Sequence, residues 1–162
     1  MDTKYSYMLL FLLLVFSLQC FADPTDGFTE GLDYSSGVWQ FEGYGFMPNG
    51  TSGATISQIH GAASGATTLI LRIYDGNLRY YSRDLVATDL YDKWFRLNVI
   101  HDVDGGKVRV FVNGVEKYST KDKGPGDLYF KCGVYATPAN ISYYMESRWR
   151  DIKIYNKTKC KT

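Results

Sequence analysis

Glycine-containing turn signals divide this chain into short segments, and their spacing is the feature that most restricts its fold. Asp75-Gly76-Asn77, Asp104-Gly105-Gly106 and Asn113-Gly114 each join glycine to Asn or Asp, the residues that tight hairpins require. Lys123-Gly124-Pro125-Gly126-Asp127 is a longer loop signal. After the N-terminal region no stretch holds a 3.6-residue period. Short segments at roughly ten-residue spacing predict an all-β fold, either a sandwich or a jelly roll.

The segments between the turns alternate polar and apolar residues, so each can cover a core with one face. The chain contains 14 Tyr and 16 Gly, which favours pleated, half-buried surfaces joined by tight turns. Trp39, Trp94 and Trp149 lie in such segments and are predicted core residues, with sugar stacking as the alternative. The predicted strands are Val38–Phe46, Thr55–His60, Thr67–Tyr74, Leu78–Arg83, Trp94–Asp102, Lys107–Val112, Tyr129–Tyr135 and Ser147–Tyr155.

Residues 1–22 have the pattern of a secretory signal peptide. Lys4 precedes an apolar run from Met8 to Phe16, and small residues stand at Cys20 and Ala22. An uncleaved anchor would need about 20 apolar residues. We therefore expect cleavage after Ala22, a single β-sandwich domain over residues 23–162, no stable membrane insertion, and passage through the secretory pathway to the cell wall or vacuole.

Two further features fit that pathway. Asn49, Asn140 and Asn156 each begin an Asn-x-Ser/Thr sequon and are predicted glycosylation sites. Of the two cysteines after the signal, Cys132 alternates toward the predicted core, and a disulfide with Cys160 is the alternative.

Charge and motif content argue against several function classes. The formal net charge is +1, and the signal carries one acid and one base, so the balance survives cleavage. Such a chain exerts no general attraction on nucleic acid or membranes. His101-Asp102-Val103-Asp104-Gly105 resembles part of a calcium loop but lacks the remaining ligands, so a hairpin turn is predicted instead. We expect a monomer with no metal and no cofactor.

Two segments carry the candidate site. In Gln58-Ile59-His60, strand alternation places Gln58 and His60 on one face. In the strand Tyr129–Tyr135, the same alternation places Tyr129, Lys131 and Tyr135 on one face. If the strands share a surface, they present an amide, an imidazole, an ammonium and two phenols, a set suited to a sugar or acid bearing a carboxylate. The alternative interpretation is an ordinary solvated strand face.

The same set nearly suits cleavage of a uronate polymer by β-elimination. That reaction requires neutralisation of the carboxylate, removal of a proton and protonation of the leaving oxygen. Gln58, His60 and Tyr135 could take these three roles in that order, and Lys131 would add positive charge near the anion.

The two site segments resemble later motifs of the alginate lyase-like jelly rolls of polysaccharide lyase family seven. More closely, the chain resembles the plant citrate-binding protein group within that superfamily. The resembling stretches are Asp33–Tyr44, Trp94–Asp104 and Tyr144–Ile152. The resemblance implies a concanavalin-like two-sheet β-sandwich, that is, a jelly roll. Its concave face would be lined by Gln58, His60, Tyr129, Lys131 and Tyr135. It also implies that Gln58 neutralises the carboxylate, His60 is the base and Tyr135 the acid.

The chain departs from the lyase pattern at two points. The lyases carry an early Arg-Thr-Glu-x-Arg motif, of which Phe28-Thr29-Glu30-Gly31 keeps only Thr-Glu, and no Arg occurs between Asp23 and Leu71. The Gln that usually follows the last motif is replaced by Ala136-Thr137. We therefore expect one or two missing opening strands and impaired catalysis.

Three functions follow from these features. The first is binding of citrate or a uronate-containing polysaccharide, the second is a polysaccharide lyase, and the third is a structural cell-wall glycoprotein that binds neither ligand.

Overall fold

The computed structural model describes residues 33–135 and 141–157, and every regular element within them is a β-strand. The predicted strands are present, most with ends shifted by a few residues. The bounds are β1 Val38–Phe46, β2 Thr55–Ala62, β3 Ala66–Tyr74, β4 Asn77–Tyr80, β5 Asp84–Ala87, β6 Trp94–Asp102, β7 Lys107–Val112, β8 Val115–Lys121, β9 Gly126–Tyr135 and β10 Arg148–Asn156.

The strands form two five-stranded antiparallel sheets that enclose one apolar core. We call the sheet with order β10-β1-β6-β7-β8 the support sheet, and the sheet with order β5-β4-β3-β2-β9 the site sheet. In the central strands of each sheet, alternate residues point inward and are almost fully buried. They include Phe41, Leu97, Val99 and Val110 from the support sheet, and Ile59, Leu69, Leu71 and Phe130 from the site sheet. The predicted two-sheet jelly-roll sandwich is confirmed.

Two hairpins form at the predicted turn signals. Asp75 (φ 48°) and Gly76 (φ 76°) join β3 to β4, and Asn113 (φ 53°) and Gly114 (φ 83°) join β7 to β8. A two-residue hairpin with positive φ at both positions needs Gly, Asn or Asp there. Local turn chemistry therefore fixes these two strand pairings.

Two strands were not predicted. β5 has four residues and forms one edge of the site sheet, and β8 forms one edge of the support sheet. Every residue of β8 is exposed or half-buried, so its sequence lacks the apolar alternation that identifies a strand. The lysines of β8, Lys117 and Lys121, are typical of an edge strand that does not pair further.

The prediction of three core tryptophans is wrong for Trp94. Trp149 is buried and Trp39 packs against the core, whereas Trp94 is 40% exposed. Trp94 begins β6 and has the outward parity of that strand. Its ring lies 5.4 Å from that of Phe46, and the Arg150 guanidinium carbon lies 4.5 Å from its ring centre. Trp94 is therefore part of an outer-surface cation–π contact.

A buried polar relay joins the segment before β1 to both sheets. Tyr34 pairs with Leu128 of β9 through two backbone hydrogen bonds. Its phenol lies 3.0 Å from Nδ1 of His101, whose Nε2 lies 3.3 Å from Oδ2 of Asp122. Burial raises the pKa of Tyr34, so the phenol stays protonated and donates to Nδ1. The proton of a neutral His101 then lies on Nε2 and is donated to Asp122.

This relay predicts a loss of stability in mild acid. Burial lowers the pKa of His101 below 6.5, against the opposing effect of Asp122. Between pH 6.5 and the lowered pKa of His101, the unfolded chain binds a proton that the folded chain does not. The free energy of unfolding therefore decreases as the pH decreases through this interval. We expect the thermal midpoint to decrease as the pH is lowered from 7.5 to 5.5. The midpoint should change less with pH in His101→Gln. An equal slope in both proteins would contradict this assignment.

Other sequence predictions fall partly outside the described residues. Cys132 is half-buried and packs against the core, while Cys160 lies outside the described ranges, so their pairing stays a prediction. Asn49 and Asn156 are exposed, and Asn140 and the predicted signal peptide also lie outside those ranges. Within the described ranges, no helix is long and apolar enough to cross a membrane.

Candidate functional site

The two segments singled out in the sequence are neighbouring antiparallel strands. Gln58 of β2 is paired with Lys131 of β9, and His60 is paired with Tyr129. The Lys131 ammonium lies within 5.9 Å of the Tyr135 ring centre, which places Tyr135 on the same side. The structure therefore brings all five predicted side chains together on the face of the site sheet that points away from the core, which we call the site face.

A glycine contact fixes the position of β2 against β9 immediately after His60. Gly61 has φ of +100°, and a Cβ atom placed on it would lie 1.8 Å from the Asp127 backbone oxygen. A Cβ on Gly126 would lie 2.0 Å from the Gly61 backbone oxygen. The pairing is also irregular between His60 and Ala62. Only glycine permits this approach, which places the His60 ring beside that of Tyr129.

His60 is a neutral imidazole held against an aromatic neighbour. Its ring centre lies 5.3 Å from that of Tyr129, with the two planes at 44°. Burial lowers the pKa of His60, and the nearby Lys131 charge lowers it further. Nδ1 is shielded from solvent and has no hydrogen-bond partner among the described residues. A neutral ring can accept a proton or hydrogen-bond a ligand, and because Nδ1 is shielded, any contact with a ligand falls to Nε2.

Lys131 stands between the two phenols of β9. Its Nζ lies 5.2 Å from the Tyr129 ring centre and 5.9 Å from that of Tyr135. Burial raises the pKa of Tyr129, with a smaller contribution from Asp33, so this phenol remains a hydrogen-bond donor. Tyr135 is 54% exposed at the end of the strand. The ammonium is therefore fixed by aromatic contacts without being neutralised by them.

Gln58 completes this group at the centre of the sheet. It is only 4% exposed, directly opposite Lys131. The depression lined by Thr55–Gln58 of β2 and Lys131–Tyr135 of β9 has a cavity volume of only about 10 Å³, so a ligand would lie on the sheet surface and not inside a cavity. Amide, ammonium and phenol donors side by side can hold a carboxylate by charge-assisted hydrogen bonds.

The structure adds two arginines that the sequence reasoning did not use. Arg72 of β3 is paired with Thr55, and its Nε donates to the Thr55 hydroxyl at 3.0 Å. Arg72 is also paired with Arg79 of β4. The alternation of the predicted strand Thr67–Tyr74, with Leu71 inward, would have placed Arg72 on the same face as Gln58. The site face is therefore more cationic than Lys131 alone suggests.

Metal binding has no visible basis in the part of the chain described. Within residues 33–135 and 141–157, no three side chains of His, Cys, Asp or Glu lie close enough to hold a metal ion. The expectation that no cofactor is needed stays a prediction.

The fold and the site define a jelly-roll sandwich with a cationic, polar face on one sheet. A family model described as alginate lyase matches residues 28–156. The chain belongs to the alginate lyase family. It is 56% identical over 126 residues to the citrate-binding protein of Hevea brasiliensis, a match that covers 78% of this chain and 53% of that protein. The chain thus spans about half the length of this curated relative.

Solved structures agree on the fold. An alginate lyase from Corynebacterium sp. superposes with a TM-score of 0.61 at 20% identity, over 77% of this chain and 61% of that one. A marine family 7 alginate lyase from Zobellia galactanivorans gives a TM-score of 0.60 at 15% identity, over 77% of this chain and 65% of that one. At these identities the likeness shows the sandwich architecture, and the Hevea relative supports the resemblance to the citrate-binding group.

Proposed function

We propose that this chain binds a carboxylate ligand on the site face, either an organic acid such as citrate or a uronate-containing polysaccharide. The position of Lys131 is the main observation that supports this proposal. Lys131 is paired with Gln58 across the strands, its ammonium lies between two phenols, and no described carboxylate lies within salt-bridge distance of it. A half-buried cation among neutral donors is suited to an anionic ligand. The name of the Hevea relative supports the same ligand class.

We further propose that binding, not cleavage, is the principal activity. β-Elimination requires a preorganised group that neutralises the carboxylate before the proton leaves. No Lys or Arg occurs between Asp23 and Leu71, so the early Arg of the lyase pattern has no counterpart there. Loss of one such preorganised donor typically lowers kcat by about 10²–10³-fold. Lys131 and Gln58 retain the contacts that ground-state binding needs.

A titration with matched lysine variants tests binding. We expect isothermal titration to detect citrate and an alginate-derived oligouronate. Lys131→Met should lower the affinity at least about tenfold, because a charge-assisted contact is lost. Lys117→Met removes an exposed lysine from β8 of the other sheet and should bind as the wild type does. No heat from the folded wild type with either probe would refute the proposal.

A polysaccharide lyase is the second candidate, favoured by one observation. A neutral His60, the candidate base, lies beside the Tyr129 phenol, with the ring centres 5.3 Å apart. This candidate predicts ultraviolet absorbance from unsaturated uronate ends with alginate, glucuronan or pectate, lost in His60→Ala and Tyr135→Phe. A flat trace from folded protein that binds the oligouronate would reject it and leave the binding proposal intact.

A further inference from the structure

Arg72 and Arg79 lie directly opposite each other on the site face. They are paired residues of β3 and β4, and both are half-buried. Their strand neighbours Leu71 and Leu78 are fully buried, so both arginines project away from the core. Like charges directly opposite in a sheet destabilise the pair. The arrangement therefore calls for a compensating anion.

No described carboxylate supplies that anion. The Arg72 Nε donates to the Thr55 hydroxyl, and the Arg79 Nη1 donates to the Arg83 backbone oxygen at 2.9 Å. Each guanidinium has further N–H donors. Among the described residues, neither arginine forms an ion pair.

The acidic residues that follow β3 and begin β5 accept hydrogen bonds from other side chains. Asp75 accepts a hydrogen bond from the Ser52 hydroxyl at 3.1 Å, and Asp84 accepts one from the Tyr118 phenol at 2.9 Å. Neither carboxylate forms an ion pair with Arg72 or Arg79, so the two guanidinium groups remain suited to an anion from outside the chain.

The arginine pair is close to the Lys131 group but separate from it. Ile70, two residues before Arg72 in β3, is paired with Gln58. The usual strand spacing and rise then place the Cα atoms of Arg72 and Gln58 about 8 Å apart. Thr55, the partner of Arg72, is also paired with Tyr135. One ligand with two carboxylates could therefore contact both groups.

We propose that Arg72 and Arg79 form a second carboxylate site, so that the site face selects ligands with two or more carboxylates. A tricarboxylic acid or an oligouronate would place one carboxylate on the Lys131 group and another between the two guanidinium groups. This inference rests on the proposed function and adds to it a selectivity for polycarboxylates over monocarboxylates.

The test compares three probes on matched variants. NMR shift titrations follow acetate, citrate and an alginate-derived trisaccharide on the wild type, Arg72→Gln and Arg79→Gln. We expect each variant to lose about tenfold in affinity for citrate and the trisaccharide, and to bind acetate at the Lys131 group as the wild type does. Arg96→Gln, on β6 of the support sheet, should match the wild type for all three probes.

The outcomes distinguish the second carboxylate site from the proposed carboxylate binding at the Lys131 group. Wild-type affinity in both arginine variants, together with weaker binding in Lys131→Met, would overturn the second site and leave the proposed function standing. A wild type that binds none of the probes would overturn both. Arg79→Gln removes a like-charge repulsion, so its thermal midpoint should be no lower than that of the wild type at low salt. Lost affinity in that variant would then not reflect unfolding.

Discussion

Replacing Gly61 by Ala should cost the fold on the order of 4 kcal/mol, at the upper end of single substitutions. The added Cβ would lie 1.8 Å from the Asp127 backbone oxygen, and the obstacle is backbone of the paired strand, not the tip of a side chain. β2 and β9 must separate to relieve the overlap. The backbone also has φ of +100° at this position, which a residue with a Cβ atom adopts only with strain.

Gly65 provides the matched control. It also has positive φ, +78°, but a Cβ there would meet nothing within 4 Å. Gly65→Ala should therefore cost only the conformational strain, about 1 kcal/mol. Guanidinium unfolding of both variants measures the difference. A Gly61→Ala variant that does not accumulate in folded form counts as the same result, whereas equal costs at the two positions would contradict the close approach beside His60.

Removing the Trp149 indole should cost about 3–5 kcal/mol, the range for deleting a large buried aromatic side chain. The ring is 4% exposed and meets Phe41 edge to face at 5.8 Å between centroids. Gly43 and Gly45 of β1 make room for it, because a Cβ on either would lie 3.3 Å from an indole carbon. Trp149 therefore holds β10 to the core from the edge of the support sheet.

Trp94 provides the comparison for this substitution. It is 40% exposed, and Trp94→Ala loses the contacts with Phe46 and Arg150 on the outer surface. We expect a cost of about 1 kcal/mol. The measurement is the free energy of unfolding of both variants by denaturant titration. Similar losses for Trp94→Ala and Trp149→Ala would contradict the assignment of one tryptophan to the core and the other to the surface.

The parts of the fold that were predictable from sequence depend on local chemistry. Asp75-Gly76 and Asn113-Gly114 determine their hairpins because few other residues tolerate two successive positive φ values. Strand β8 was missed because no alternation of apolar residues distinguishes it, and its pairing with β7 is set by the turn and by backbone hydrogen bonds. Trp94 was wrongly predicted as a core residue. It is the first residue of β6, and the alternation of that strand, in which Phe95 and Leu97 point inward, directs the Trp94 side chain outward.

The candidate site shows the same division. Period-two alternation, which is visible in sequence, predicted the shared face of each strand, and the structure pairs the two strands that contain Gln58, His60, Tyr129, Lys131 and Tyr135. The contact of Gly61 with Asp127, and the opposition of Arg72 to Arg79, depend on register between segments, which no local pattern encodes. The burial of His101 between Tyr34 and Asp122 is non-local in the same way.

The chain contains two histidines, and their NMR titration tests the central claim most directly. His60 lies on the site face beside Lys131, whereas His101 is buried between Tyr34 and Asp122 and serves as an internal control. A bound carboxylate favours the protonated imidazole, so citrate should raise the pKa of His60. By linkage, the affinity for citrate should increase as the pH falls through the pKa of His60. We expect citrate to raise the pKa of His60 and to leave the pKa of His101 unchanged. An unchanged His60 titration in excess citrate, or a shift in His101 alone, would contradict carboxylate binding on the site face.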